Sequence, residues 1–321
     1  MNIFAELTAG DTTFRLEGTQ PPDGDRHDSY LMITSQGIDG FYSTPTVKTS
    51  LTERGQGDGA NQVSEDNILY AARTVTINAA AVGRDRENVL AALGQALSGV
   101  HRLCRMTLHD EAQTTYVTGY ATVTSSAEWR KRLLPVTITL VCPQPERLSV
   151  DEQRIQLVCT PANQGGGLSY NPVGLLTWWE GEPNNSVSVL AETLDGDTGL
   201  RYPLTYDLPD EDDVAVSNTG ILENNGTSRA YPTFDIYGPF PEGFEIVCSD
   251  GSILSSTAAI PQGSVLTLDS RSRTAVMNGS NVSELLVSRG FPEVPPASSL
   301  QVSVPTAADG WVEAAVHDTY M

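Results

Sequence analysis

Short alternating runs of apolar and polar residues dominate this chain. Residues 4 to 17 alternate on either side of Gly10-Asp11, which predicts a hairpin of two short strands. Pro21-Pro22-Asp23-Gly24 is a turn cluster, and residues 30 to 38 predict a third strand. Residues 73 to 79 predict another, with Val75 and Ile77 on one face. The period then changes. Val89, Leu90, Leu93, Ala96 and Leu97 share one helical face, Asp85 stands where an N-cap belongs, and the pattern stops near Gly99. The stripe predicts a helix packed on a sheet, and the lack of a basic face argues against a membrane surface.

Strands over 102–108, 115–124 and 134–141 follow. The last runs into Cys142-Pro143-Gln144-Pro145-Glu146-Arg147, where two prolines deny ladder hydrogen bonds. The pattern thus predicts a first β domain with an inserted helix over 1–148. A crossover over 149–167 ends in Gly165-Gly166-Gly167, and a second domain covers 168–321. Residues 168–220 follow no clear period. Beyond them, Phe234 and Ile236 alternate with Asp235 and Tyr237, and Phe244 pairs with Ile246. Residues 265–268, 274–277, 300–304 and 312–316 supply further strands, with Asn278-Gly279 as a hairpin signal. Strands this short, with turns every eight to twelve residues, predict a β-sandwich.

Composition supports the β reading and narrows the function. Of 321 residues, 28 are glycine and 19 proline, which suits a turn-rich protein. With 40 acidic and 19 basic residues the net charge is −21, so the chain lacks the basic surface that holds nucleic acid phosphates. No apolar run approaches the ~20 residues of a membrane span, and the N-terminus lacks the basic start and apolar core of a signal peptide. The four cysteines (Cys104, Cys142, Cys159, Cys248) fit no CxxC spacing and read as buried free thiols.

Chemistry is sparse. His101 and His109 share a strand face but are separated by roughly 26 Å of extended chain, too far to share one metal ion. His27 and His317 have no ligand at metal-binding spacing. No Gly-x-Ser-x-Gly elbow occurs. A glycosidase needs two carboxylates without a fixed sequence spacing, so the pattern does not address that class. The glycine loop at 52–66, which includes Arg54, Gly55, Gly57 and Asp58, lacks the Lys-Ser/Thr ending of a phosphate loop. Asp195-Gly196-Asp197 and the acidic run at 210–213 read as solvated turns rather than calcium loops. Trp178-Trp179 raises sugar stacking, although neighbours in a strand face opposite ways.

One resemblance organises these signals. The stretch from Gly37 to Pro45, the glycine loop, the strand from Arg73, the helix and the Cys-Pro-Gln-Pro-Glu-Arg ending appear in the order found in siphovirus distal tail proteins. Further on, Gly199-Leu200-Arg201-Tyr202-Pro203, Asn225-Gly226, Tyr231-Pro232, Gly238-Pro239, Gly251, Gly263, Leu266-Thr267-Leu268-Asp269, Arg273 and Asn278-Gly279 resemble that family's C-terminal pattern, closed by Trp311 and Tyr320. Phe291-Pro292 and Pro295-Pro296 depart from it, standing where the family carries a tryptophan.

The resemblance implies a mainly β fold: an N-terminal split β-barrel with one inserted α-helix, similar to tail-tube proteins, and a C-terminal galectin-like β-sandwich. It implies no catalytic role and no cofactor. It further implies a homohexameric ring in the virion tail, with a lumen for DNA, assembled in the host cytoplasm; the −21 of each copy makes an acidic lumen the expectation. The implied partners are the tail tube protein, the tail hub or tail-associated lysin, and the tape measure protein, without specific nucleic-acid binding and without a membrane. Arg54, Gly55, Gly57 and Asp58 are the expected contact loop with a neighbour or the hub. Carbohydrate binding through Trp178 or Trp179 is the alternative.

Overall fold

The computed structural model describes residues 4–18, 29–64, 68–97, 103–125, 133–159 and 217–321. The expected hairpin forms as β1 (Phe4–Ala9) and β2 (Thr12–Glu17). It is followed by β3 (Tyr30–Asp39), β4 (Arg73–Val82), α1 (Arg86–Leu97), β5 (Cys104–His109), β6 (Thr114–Ser125) and β7 (Leu133–Cys142). Their order is β6-β5-β1-β2-β3-β4-β7, and β7 also pairs with β6, so seven strands close into a barrel. Closure leaves no free edge inside this group. The strands alternate as the sequence did: Ala5, Leu7, Val75, Ile77, Met106, Ile138 and Leu140 point into one buried cluster. The helix adds Leu93 and Leu97 to that cluster, with Val89 and Leu90 half-buried against it.

Strand β8 (Arg147–Val158) is where structure and sequence reading part. Residues 149–158, expected as the start of a crossover, are a strand. It pairs with β6 at Thr115↔Ser149 and Tyr116↔Leu148, and along its length with the last strand, β18 (Trp311–Tyr320). Its pattern is weakly apolar because most of its residues are exposed or half-buried, so hydrophobic alternation could not reveal it. The remaining strands are β9 (Thr219–Asn224), β10 (Thr233–Tyr237), β11 (Phe244–Cys248), β12 (Ile253–Ser256), β13 (Val265–Asp269), β14 (Thr274–Met277), β15 (Ser280–Asn281), β16 (Leu286–Arg289) and β17 (Ser298–Ser303).

The barrel sheet continues through β8-β18-β10-β13-β14-β15, making thirteen strands in one hydrogen-bonded sheet. A second sheet, β16-β12-β11-β17-β9, shares a core with this continuation through Phe234, Ile236, Ile246, Leu254, Leu300, Val302 and Val312. The fold is therefore mainly β, a helix-bearing barrel joined to a two-sheet sandwich. All four cysteines are buried and free. Burial raises every one of these thiols, Cys142 and Cys159 to about 11 and Cys248 to about 12.

Arg73 anchors the seam of the barrel. It is 1% exposed, and its guanidinium donates to the carbonyls of Pro145 (2.6 Å), Gly40 (2.8 Å), Phe41 (2.7 Å) and Ser43 (2.7 Å). Gly40 must be glycine: its φ is +81°, and a Cβ would lie 2.1 Å from the Thr74 carbonyl oxygen. Truncation as Arg73→Ala strands these carbonyls, and because hydrogen bonds to charged groups contribute ~1.5–3 kcal/mol each, a loss of about 3 kcal/mol or more is expected in urea unfolding. An unchanged midpoint would contradict the anchoring role.

Candidate functional site

The described surface offers three places where chemistry collects: the barrel–sandwich junction, an arm beside it, and an aromatic face on the sandwich. At the junction Arg147, 6% exposed, begins β8. Its guanidinium lies 5.5 Å from the Phe41 ring centre, 4.9 Å from Tyr42 and 5.8 Å from Tyr320, and Nη1 donates to Thr115 Oγ1 at 3.4 Å. Three of these groups belong to the barrel half and Tyr320 to the last strand, so one cation ties both halves together. Glu146, next to it, accepts from Arg271 at 3.0 Å, and the Arg271 guanidinium covers the Tyr231 ring at 4.4 Å. The turn after β7, read from sequence as a strand stop at the end of the first domain, thus carries contacts to both halves.

Tyr42 donates its hydroxyl to Asp110 at 2.5 Å. Burial and then this carboxylate push the Tyr42 pKa well above its ordinary value. Burial works against the charge on Asp110, but the Tyr42 hydroxyl, the backbone N–H groups of Gln113 and Ala112, and Arg147 outweigh it and hold the pKa below 3.8. A depressed carboxylate contributes stability that is present above its unfolded value and is lost as pH falls through the folded one. Acidification below about 4 should therefore lower the melting temperature of the wild type more than that of Asp110→Asn. Thermal melts of both proteins between pH 2 and 6 check this, and parallel curves would remove Asp110 from the junction's stability.

The glycine loop is the end of an arm. Val47 bridges Tyr70 at its base and Glu53 bridges Ala60 near its tip. Arg54 N–H donates to Gly59 O at 3.0 Å and Asn61 N–H to Thr52 O at 2.9 Å, so the tip is a closed turn. Gly57 and Gly59 take positive φ there. Arg54, Gly55, Gly57 and Asp58 are all exposed, and a Cβ at Gly55 or Gly57 would meet nothing within 4 Å. The exposed apolar residues of the arm, Val47, Leu51, Ile68 and Leu69, went unremarked in the sequence because they follow no period. Between the arm base and the second half lies a cleft of about 510 Å³, lined in part by Lys48, Ile68, Leu69, Tyr70, Pro145 and Tyr231.

On the open face of the sandwich, Tyr237 and Trp311 sit directly opposite one another on β10 and β18 and stack at 4.9 Å. The next pair on that face is Asp235 and Glu313, with Thr267 donating to Asp235 at 2.6 Å. Trp178 and Trp179 lie outside the described residues, as do His27, His101, Asp195-Gly196-Asp197 and the run at 210–213. His109 stacks on Phe4 at 4.3 Å and sits 3.4 Å from Glu6. His317 meets Glu152 at 3.5 Å, a partner contributed by β8 that local spacing did not reveal. Among the described residues no group of three or more His, Cys, Asp or Glu side chains could hold a metal ion.

No protein-family model matches the chain, and no characterised protein matches it by sequence. Its fold does have counterparts. The Dit protein of phage SPP1, described as a paradigm of the hub adsorption apparatus in phages infecting Gram-positive hosts, aligns with a TM-score of 0.55 at 12% identity, over 91% of this chain and 94% of that one. The chain has a Dit-like fold. Two structures of the phage P2 baseplate in its activated conformation, with Ca and with Sr, align at TM-scores of 0.48 and 0.46. Their identities are 8% and 7%, over 99% and 98% of this chain and 98% and 97% of those chains. At 12% identity, what is shared with Dit is the fold.

Proposed function

We propose that this chain is a structural protein of a siphovirus tail tip, forming the distal ring that connects the tail tube to the hub. The observation that carries the reading is the likeness of fold to the SPP1 Dit protein over nearly all of both chains, which takes in the barrel, the sandwich and their junction together. The role is geometric. Barrels of neighbouring copies meet in a closed ring, sandwiches project from it, and the arm that ends in Arg54, Gly55, Gly57 and Asp58 makes the contact with a neighbour or the hub. The stated partners are copies of itself, the tail tube protein, the hub or tail-associated lysin, and the tape measure protein. The protein belongs in the virion tail and is assembled in the host cytoplasm.

A closed ring of six copies multiplies the −21 of each chain. Where such charge lines the lumen, DNA passes without adhering to the wall. Light scattering or sedimentation of the purified protein, alone and mixed with its tail tube protein, is expected to return a hexamer in at least one condition. A monomer in both, with no ring at the tip of imaged virions, would sink the reading.

Carbohydrate binding is the second reading, and the observation favouring it is the Tyr237–Trp311 stack beside Asp235 and Glu313. Aromatic rings offer apolar contact to sugar C–H groups, and carboxylates accept from sugar hydroxyls. On this reading host cell-wall polysaccharide binds the intact protein, and Trp311→Ala weakens it by about 1 kcal/mol or more, as lost aromatic contacts do. Equal retention of wild type and Trp311→Ala on the polysaccharide would remove the face from consideration.

A further inference from the structure

The arm tip and the cleft beside the arm's base have complementary properties, and within a single chain the tip does not line the cleft. The cleft is bordered by Lys48, which is exposed and whose ammonium has no ion-pair or hydrogen-bond partner among the described residues. Beneath it the cleft presents Ile68 and Leu69, which are 43% and 60% exposed, along with Pro145 and the Tyr231 ring. Exposed apolar side chains of this size along one cleft offer contact area to another chain.

The arm tip offers the matching groups. Glu53 and Asp58 are exposed carboxylates with no ion-pair partner among the described residues, and Leu51, 67% exposed, projects just before them. Arg54 is the tip's one cation, leaving the tip acidic overall. From the base bridge at Val47 to the tip bridge at Glu53 the chain runs up to about 20 Å when extended. None of residues 51–60 lines the cleft of its own chain.

We propose that the arm tip of one copy seats in the junction cleft of the next, with Leu51 against Ile68 and Leu69 and with Glu53 or Asp58 facing Lys48. The contact rests on the ring reading and specifies which two surfaces make the ring. It is heterologous, tip to base, so each copy uses both surfaces and the chain of contacts closes only when the rotation between copies allows it. Because the cleft is walled by Pro145 and Tyr231 as well as the arm, a seated tip also braces the neighbour's barrel against its sandwich. Assembly and the rigidity of the junction become one event.

Charge reversal tests the pairing. Lys48→Glu is expected to weaken assembly about tenfold or more, as reversing a charge at an interface rim does. The doubly reversed tip, Glu53→Lys with Asp58→Lys, should do the same, and combining all three changes should restore assembly. The sites are exposed, so each variant should keep the melting temperature of the unassembled wild type.

A covalent test is independent of charge. Leu51→Cys combined with Leu69→Cys, oxidised and run without reductant, should give a ladder of linked multiples. The wild type should give none, because its four cysteines are buried. A wild type that assembles while Lys48→Glu assembles equally well and the cysteine pair gives no ladder would overturn this contact and leave the ring reading standing. A wild type that stays monomeric with and without the tail tube protein overturns both.

Discussion

Everything beyond the barrel depends on how β8 leaves it. The strand starts at a buried arginine that touches Phe41 and Tyr42 on one side and Tyr320 on the other, and then runs as the partner of both β6 and β18. A guanidinium held among aromatic faces is desolvated and directional at once, so it fixes an angle as well as a distance. Arg73 does comparable work nearby, gathering carbonyls from the stretch after β3 and from the turn after β7. Burial and the neighbouring Arg147 charge both press the Arg73 pKa downward, the mark of two cations brought close in a dry place. Hydrogen bonds to carbonyls, aromatic faces and the nearby Asp110 and Glu146 offset that cost.

This arrangement makes the barrel and the sandwich parts of one sheet rather than beads on a linker. A flexible crossover would let the halves reorient; a strand paired on both edges does not. On the proposed role, holding geometry between a tube and a tip, a stiff junction is what the task requires. The arm emerges beside that junction, so whatever it contacts is positioned relative to both halves. The open face with Tyr237 and Trp311 lies on the sandwich continuation of the same sheet, which places any ligand there in register with the barrel through unbroken backbone hydrogen bonds.

The stretch from Asn224 to Thr227 shows how a turn signal can conceal a structural bracket. Asn224 is buried and uses its whole side chain: Nδ2 donates to the carbonyls of Ser228, Val294 and Pro295, and Oδ1 accepts from Gly226 and Thr319. Gly226 follows because a Cβ there would lie 2.0 Å from the Thr319 carbonyl oxygen. In sequence the segment reads as polar turn chemistry. In the fold it closes the sandwich against its last strand.

The sequence by itself determined many local elements: the alternating strands of the barrel, the helix at 86–97, the glycine loop of the arm and the strands around 234–237, 244–246, 265–268, 274–277, 300–304 and 312–316. Those follow from short-range periodicity and turn residues, which the chain carries within a few positions. Tertiary structure alone decided that β7 returns to β6, that residues 147–158 are a shared strand, that Arg147 meets Tyr320, and that Lys48 borders a cleft. Each of these joins residues distant in the chain, through pairings of backbone groups that every residue possesses or through polar side chains that carry no period. Such contacts leave no pattern in the order of the residues; they exist only once the barrel has closed and the last strand has found β8.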